Sequence, residues 1–216
     1  MLKQLTKSEL ATLFGQYKSS NKFLVQKKGQ DTLLTLTCAE YEAFFGIKYL
    51  MSPFFESQEL LEELIKNCPW LLNNTFIGEE HRSLGASLRS QLFSGFVADT
   101  SIRWISDYIG YGLFAEKPIA KMSYIGQYTG IVRKVGRFSY ERNDYCMHIP
   151  TRFFSFRYFL MDALKMGGEL RFANHSNQPT MKPYCLIDRS LVHIGFFALR
   201  DILPGEELTF NYGKGG

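Results

Sequence analysis

Gly205-Glu206-Glu207-Leu208-Thr209-Phe210-Asn211-Tyr212-Gly213 stands near the C-terminal end of this sequence, and about thirty residues before it stands Arg171-Phe172-Ala173-Asn174-His175-Ser176. Taken singly, each run is ordinary. An Asn-His-Ser triplet is a polar loop, and Pro204-Gly205 before an acidic pair and an apolar run is a turn into a strand. Their order, spacing and chemistry together decide the fold.

Working outward, the segments upstream have the same specificity only in combination. Tyr108-Ile109-Gly110-Tyr111-Gly112-Leu113-Phe114-Ala115 carries a G-x-G turn. Tyr124-Ile125-Gly126-Gln127-Tyr128-Thr129-Gly130 follows, then Met161-Asp162-Ala163 with Gly167-Gly168, and Phe196-Phe197-Ala198. In this order they resemble the SET domain of protein-lysine methyltransferases over about 105 residues, and among its members the small bacterial, chlamydial-type SET proteins. The resemblance implies an α+β SET-domain fold of β-clip-like small sheets. Its C-terminal pseudoknot passes the last segment under a preceding loop, an exception to unthreaded topology. Gln127 departs from the usual Glu, and Gly168 from the usual Asn.

The same resemblance implies methyl transfer from S-adenosylmethionine to a lysine amine of a histone or histone-like protein. Gly110, Tyr111 and Gly112 are expected at the cofactor, where the glycines let backbone approach closely. Asn174 is expected to meet the methionyl amine, and the backbone at His175 the adenine. Arg171 is expected to tie the loop through its donors, and Tyr145 and Arg142 stand where family members contact the cofactor carboxylate. Tyr212 is the expected catalytic residue, aligning methyl and amine, with Tyr128 lining the lysine channel. Phe210 implies more than monomethylation, unless Tyr184 intrudes on the same space. No C-x-C-x4-C segment follows Tyr212. The channel is therefore expected to be closed by the N-terminal helices, by substrate, or by a partner such as a second copy in a homodimer. A SET-like binding module without catalysis is the second reading.

The region before about residue 95 reads as mostly helical, with the SET domain over 96–216. Thr6-Lys7-Ser8-Glu9 has the capping-box pattern, and Ser57 caps a second helix whose apolar face is Leu60, Leu61, Leu64, Ile65 and Cys68, closed by Pro69. Leu33 to Leu36 suits a strand or a helix start, and Ala39 to Leu50 a helix. Beyond residue 90 short aromatic and β-branched runs suit strands: 122–128, 144–149, 153–158, 191–197 and 207–211.

Composition bounds the rest. The 216 residues are 45% hydrophobic and 21% charged, with a net charge of +4. That is a globular composition, and Lys27-Lys28 and Arg133-Lys134 are too scattered for a nucleic-acid footprint. Cys38, Cys68, Cys146 and Cys185 form no C-x-x-C pair, so neither a zinc site nor another metal is expected. No apolar run reaches membrane-spanning length and no signal peptide opens the sequence. The protein is expected in the bacterial cytoplasm, or secreted into a host cell to act in its nucleus.

Overall fold

A computed structural model describes residues 5–136, 143–151 and 157–213. The first part carries α1 (Lys7–Leu13), β1 (Lys22–Gln26), β2 (Leu33–Thr37), α2 (Cys38–Phe45), β3 (Lys48–Tyr49), α3 (Gln58–Lys66), α4 (Trp70–Asn74), α5 (Glu79–Ser87) and α6 (Arg89–Ser94). Then follow β4 (Thr100–Ser106), β5 (Gly110–Ala115), β6 (Tyr124–Tyr128), β7 (Ile131–Gly136), β8 (Cys146–Ile149) and β9 (Arg157–Asp162). The last elements are β10 (Met166–Gly167), β11 (Asn174–His175), β12 (Met181–Asp188), β13 (Leu191–Ala198) and β14 (Thr209–Phe210).

Local chemistry starts the helices as read. Thr6 and Glu9 bond each other's backbone amides at 3.2 and 2.7 Å, and Ser57 accepts from the Leu60 amide at 3.2 Å. The face of α3 that holds Leu61, Leu64 and Ile65 is buried, as is Cys68 beyond its end. Of the two alternatives for Leu33 to Leu36, the structure shows the strand: it is β2, hairpinned to β1. The helix expected over 39–50 ends at Phe45, because Gly46 adopts the left-handed conformation at φ 67 and turns the chain into β3. Of the expected strands, 122–128 begins only at Tyr124 and 207–211 contracts to β14, while 153–156 lies outside the described residues.

The strands form small sheets in the orders β2-β1-β4-β5, β12-β13-β6 and β7-β9-β8, with two-stranded pairs β10-β3 and β11-β14. This is the α+β architecture of small sheets that the resemblance implies. Strand β1 pairs parallel with β4, so the first hundred residues are not helix alone: they supply half of a sheet completed by later strands. Around these sheets one continuous core gathers Phe23, Tyr41, Ile102, Leu113, Phe159 and Phe196.

Gln127 explains its own departure from Glu. Its amide donates to the carbonyls of Met51, at 3.0 Å, and Leu92, and its oxygen meets His193 Nδ1 at 3.0 Å. A carboxylate has no hydrogen to donate to either carbonyl. Burial pushes His193 down to about 4, so the ring is neutral and its Nδ1–H is the donor to Gln127. Gly168 is equally dictated, since a Cβ there would stand 2.8 Å from Thr129 Oγ1 and 3.2 Å from the Leu50 carbonyl.

An ion-pair chain anchors α1 to the β12–β13 turn. Arg189 reaches Glu9 at 2.6 Å and Asp188 at 2.7 Å, and Asp188 also holds Arg89 at 2.7 Å. Burial alone would raise the Glu9 carboxyl, but hydrogen bonds from Arg189 and Thr6 outweigh it and hold it down to about 2. The stabilisation is therefore complete above the ordinary value of 4.5 and is lost as pH falls through about 2. Glu9→Gln is expected to cost about 1–2 kcal/mol at pH 7. In urea titrations its deficit against the wild type should shrink below pH 4.5; a pH-independent deficit would contradict the ion-pair account.

Candidate active site

The expected G-x-G turn is the opening of β5. Gly110 closes the β4–β5 hairpin at φ +81, a left-handed value that favours glycine. Two residues on, the backbone lies so close to its neighbours that a Cβ on Gly112 would stand 2.6 Å from Ile105 Cδ1, 2.8 Å from Glu207 Oε1 and 3.1 Å from Asn174 Nδ2. Beside this strand runs the C-terminal segment, with the Leu208 amide donating to the Leu113 carbonyl at 2.7 Å and Phe114 bridged to Glu207.

Strands β11 and β14 bring the two diagnostic runs together. Asn174 lies opposite Thr209 and His175 opposite Phe210 in a parallel pair. The Ser176 amide bonds the Phe210 carbonyl and the Thr180 amide the Thr209 carbonyl, both at 3.1 Å. Asn174 Nδ2 donates to Glu207 Oε1 at 2.8 Å and to the Tyr111 carbonyl at 3.3 Å. Its Oδ1 has no hydrogen bond among the described residues and is left as an acceptor. Gly112, Asn174 and Glu207 thus form a cradle with bare backbone at position 112, where not even a methyl has room. A ligand presenting an ammonium group fits such a cradle. Tyr111 joins it through its carbonyl; its ring packs against Phe45 and Trp104, with centroids 5.2 and 5.1 Å away.

His175 is exposed, and its Nδ1 accepts the Tyr212 amide at 3.1 Å. Arg171 ties the loop as expected. It donates to the Ala163 carbonyl at 2.9 Å and the Leu164 carbonyl at 3.3 Å, and its guanidinium lies 4.3 Å from the Tyr145 ring centre. Arg142 lies outside the described residues.

Next to the cradle stands an aromatic cluster. Tyr212 packs 4.6 Å from Phe210, Phe210 packs 4.9 Å from Phe196, and Phe196 lies 6.4 Å from Tyr128. Both hydroxyls are oriented by backbone: Tyr212 donates to the Ala173 carbonyl at 2.9 Å, and Tyr128 to the Tyr145 carbonyl at 2.8 Å. Burial, with Tyr145, Asp144 and Glu207 nearby, pushes Tyr212 up to about 12. Burial also pushes Tyr128 well above the usual tyrosine range. Both are therefore neutral hydroxyls at physiological pH. Each spends its hydrogen on a carbonyl and keeps oxygen lone pairs to accept from an N–H donor.

Tyr184 is not brought to this cluster. It stacks on His81 of α5, with ring centres 4.6 Å apart, and meets Phe197 at 5.9 Å. Phe196 and Phe197 are successive strand residues with rings on opposite faces, so Tyr184 faces α5 while Phe210 faces Tyr212. Glu207, which accepts from Asn174, is a residue of this site that sequence reasoning passed over. The adjacent Glu206 pairs with Arg200 on the surface at 2.9 Å, and nothing in the doublet itself tells the two carboxylates apart.

Residues 110–213 match the family described as the SET domain. Histone-lysine N-methyltransferase CLF of Arabidopsis thaliana is 32% identical over 115 residues, which are 50% of this chain and 12% of that protein. The Schizosaccharomyces pombe histone-lysine N-methyltransferase described as H3 lysine-36 specific is 29% identical over 157 residues, 68% of this chain and 19% of that protein. This chain thus spans under a fifth of the length of these two relatives. Among solved structures, ATXR5 in complex with histone H3.1 mono-methylated on R26 superposes with a TM-score of 0.63 at 17% identity, over 82% of this chain and 86% of that one. At that identity the likeness speaks for the fold alone.

Proposed function

From a chain with a SET-domain fold, matched to that family over residues 110–213, we infer a protein-lysine N-methyltransferase that uses S-adenosylmethionine and acts on a histone or histone-like basic protein. The carrying observation is the placement of Tyr212, whose amide is bound to His175 and whose hydroxyl is oriented by Ala173, immediately beside the Asn174 cradle. Relatives that are histone-lysine N-methyltransferases, similar over 50% and 68% of this chain, support the reading.

In this reading Gly110 and Gly112 admit the cofactor's methionyl part against backbone, Asn174 Oδ1 accepts from its ammonium, and the backbone at His175 serves the adenine. When bound, the cofactor supplies a methyl on a positive sulfur, which needs no further activation. What the chain adds is alignment. A lysine amine entering among Phe210, Phe196 and Tyr128 is desolvated, which lowers its pKa from about 10.4. Its remaining N–H groups donate to the Tyr212 and Tyr128 oxygens, and this points the nitrogen lone pair along the line of displacement. Neither hydroxyl is ionised, so the proton leaves to bulk water. Phe210 supports di- or trimethylation, since it offers no hydroxyl to hold a water in place of a methyl. The chlamydial-type affinity, closure of the channel by a second copy, and action in bacterial cytoplasm or host nucleus belong to this proposal on sequence resemblance alone.

The test is incubation of the full chain with labelled S-adenosylmethionine and purified histones, followed by mass spectrometry of lysines. Label on lysine, with di- or trimethylated products, is expected. No lysine label above that of a reaction without the protein would overturn the enzyme reading and leave a SET-like binding module.

A further inference from the structure

A second recess lies away from the cradle and shares no residue with it. It is a groove of about 680 Å³ between the start of β1, the Ser94–Thr100 stretch and the end of β5, with Glu169 in its wall. That volume suits a small organic ligand. Glu169 is 8% exposed. Its one hydrogen bond among the described residues comes from Thr100 Oγ1 at 3.1 Å, and no cation pairs with it. It also lines a water-sized chamber of about 10 Å³, together with Gly95, Phe96 and Val97, which line the groove as well.

The other charges of the groove sort cleanly. Asp99 is paired with Lys117 at 2.9 Å, and Glu116 is bound by Arg103 and Ser101. Lys22, exposed at the mouth, makes no ion pair among the described residues. The groove thus keeps one ionisable group of each kind without a partner of opposite charge among the described residues, a buried carboxyl in its wall and the exposed Lys22 ammonium. A buried carboxyl without a counter-charge is costly, and nothing in the methyl-transfer reading uses it.

We propose that this groove binds a small zwitterion, an extended amine whose ammonium pairs with Glu169 and whose carboxylate pairs with Lys22. Burial pushes the Glu169 carboxyl up to about 7, opposed only by the Thr100 hydrogen bond. The hydroxyls of Tyr41 and Tyr49 lie near enough to feel its charge, while Lys22, Asp99, Glu116 and Lys117 face it from the groove. An incoming ammonium favours the ionised form. Binding therefore releases a proton near neutral pH and tightens as pH rises through about 7.

Calorimetric titration of the full chain with 4-aminobutyrate, 6-aminohexanoate, hexylamine and hexanoate tests this. Saturating S-adenosylhomocysteine keeps the Asn174 cradle filled, and its own heat is recorded separately, so failure of the cofactor reading shows independently. One of the two amino acids is expected to bind saturably, with a heat at pH 7 that differs between buffers of different protonation enthalpy. Glu169→Gln should weaken it about tenfold, and Lys22→Gln about threefold, to the level of hexylamine. The proposal is overturned if neither amino acid binds, if hexylamine binds as tightly as the better one, or if hexanoate binds equally well. Should Glu169→Gln fail to fold, the wild-type buffer dependence and Lys22→Gln decide, and a buffer-independent heat overturns the proposal.

Discussion

Tyr212→Phe is expected to lower the rate of methyl transfer about 100-fold while S-adenosylmethionine affinity stays within about threefold. The substitution removes one atom. Ring contacts with Phe210 and His175 are kept, and so is the amide bond to His175 Nδ1, which belongs to the backbone. Only the hydroxyl that the Ala173 carbonyl orients is lost. Tyr212 is 41% exposed, so water can replace the hydroxyl at that carbonyl and thermal stability should not move. The effect then falls on turnover rather than on folding or cofactor capture. Single-turnover rates beside calorimetric affinities separate the two, and an unchanged rate would remove Tyr212 from the mechanism. Because Tyr212 stays protonated to about 12, the wild-type rate should rise with pH as the substrate amine loses its proton, with no inflection from this tyrosine below pH 10.

Gly85→Ala is expected to destabilise the fold by about 3 kcal/mol. In an exposed helix the same change stabilises by about 1 kcal/mol, so the sign itself is diagnostic. Here α5 lies directly on β12. A Cβ at position 85 would stand 2.2 Å from the Ile187 carbonyl oxygen and 2.5 Å from its carbon. Both are backbone atoms of the buried Ile187, and no rotamer change relieves them. The helix has to lift away, which also disturbs the His81–Tyr184 stack. Guanidinium denaturation at one pH is enough to measure it. A neutral or stabilising result would mean that α5 does not sit on β12 as described.

Much of the local structure was legible beforehand. Thr6 with Glu9 and Ser57 with Leu60 are contacts three residues apart, and spacing alone announces them. The apolar face of α3 follows from helical period, and strands such as β13 from runs of apolar residues. Where a helix stops was harder. The break at Gly46 needs one residue in the left-handed conformation, and the apolar pattern of Ala39 to Leu50 runs straight across it. Strands β1 and β4 each have a hairpin partner close by, β2 and β5, but the parallel pairing that joins the two hairpins, Leu24 with Ser101, spans distant sequence and shows only in the fold.

In the site, the motif residues Gly110, Gly112, Asn174 and Tyr212 were readable as a set, whereas the company each keeps was not. Asn174 meets Glu207 across 33 positions and Tyr111 across 63. Gln127 looked like a loss of charge until Met51, Leu92 and His193 stood around it. Tyr184 and Phe210 look interchangeable as channel residues, yet adjacent rings on β13 put them on opposite faces of a sheet. By itself the sequence determined where helices begin and which faces turn inward, because those follow from neighbours a turn or a strand-step apart. Only the tertiary structure decided which carboxylate supports the cradle, which hydroxyls are aimed and which buried carboxyl is left without a cation. Those depend on pairings between distant segments, and the packing of the whole core sets them.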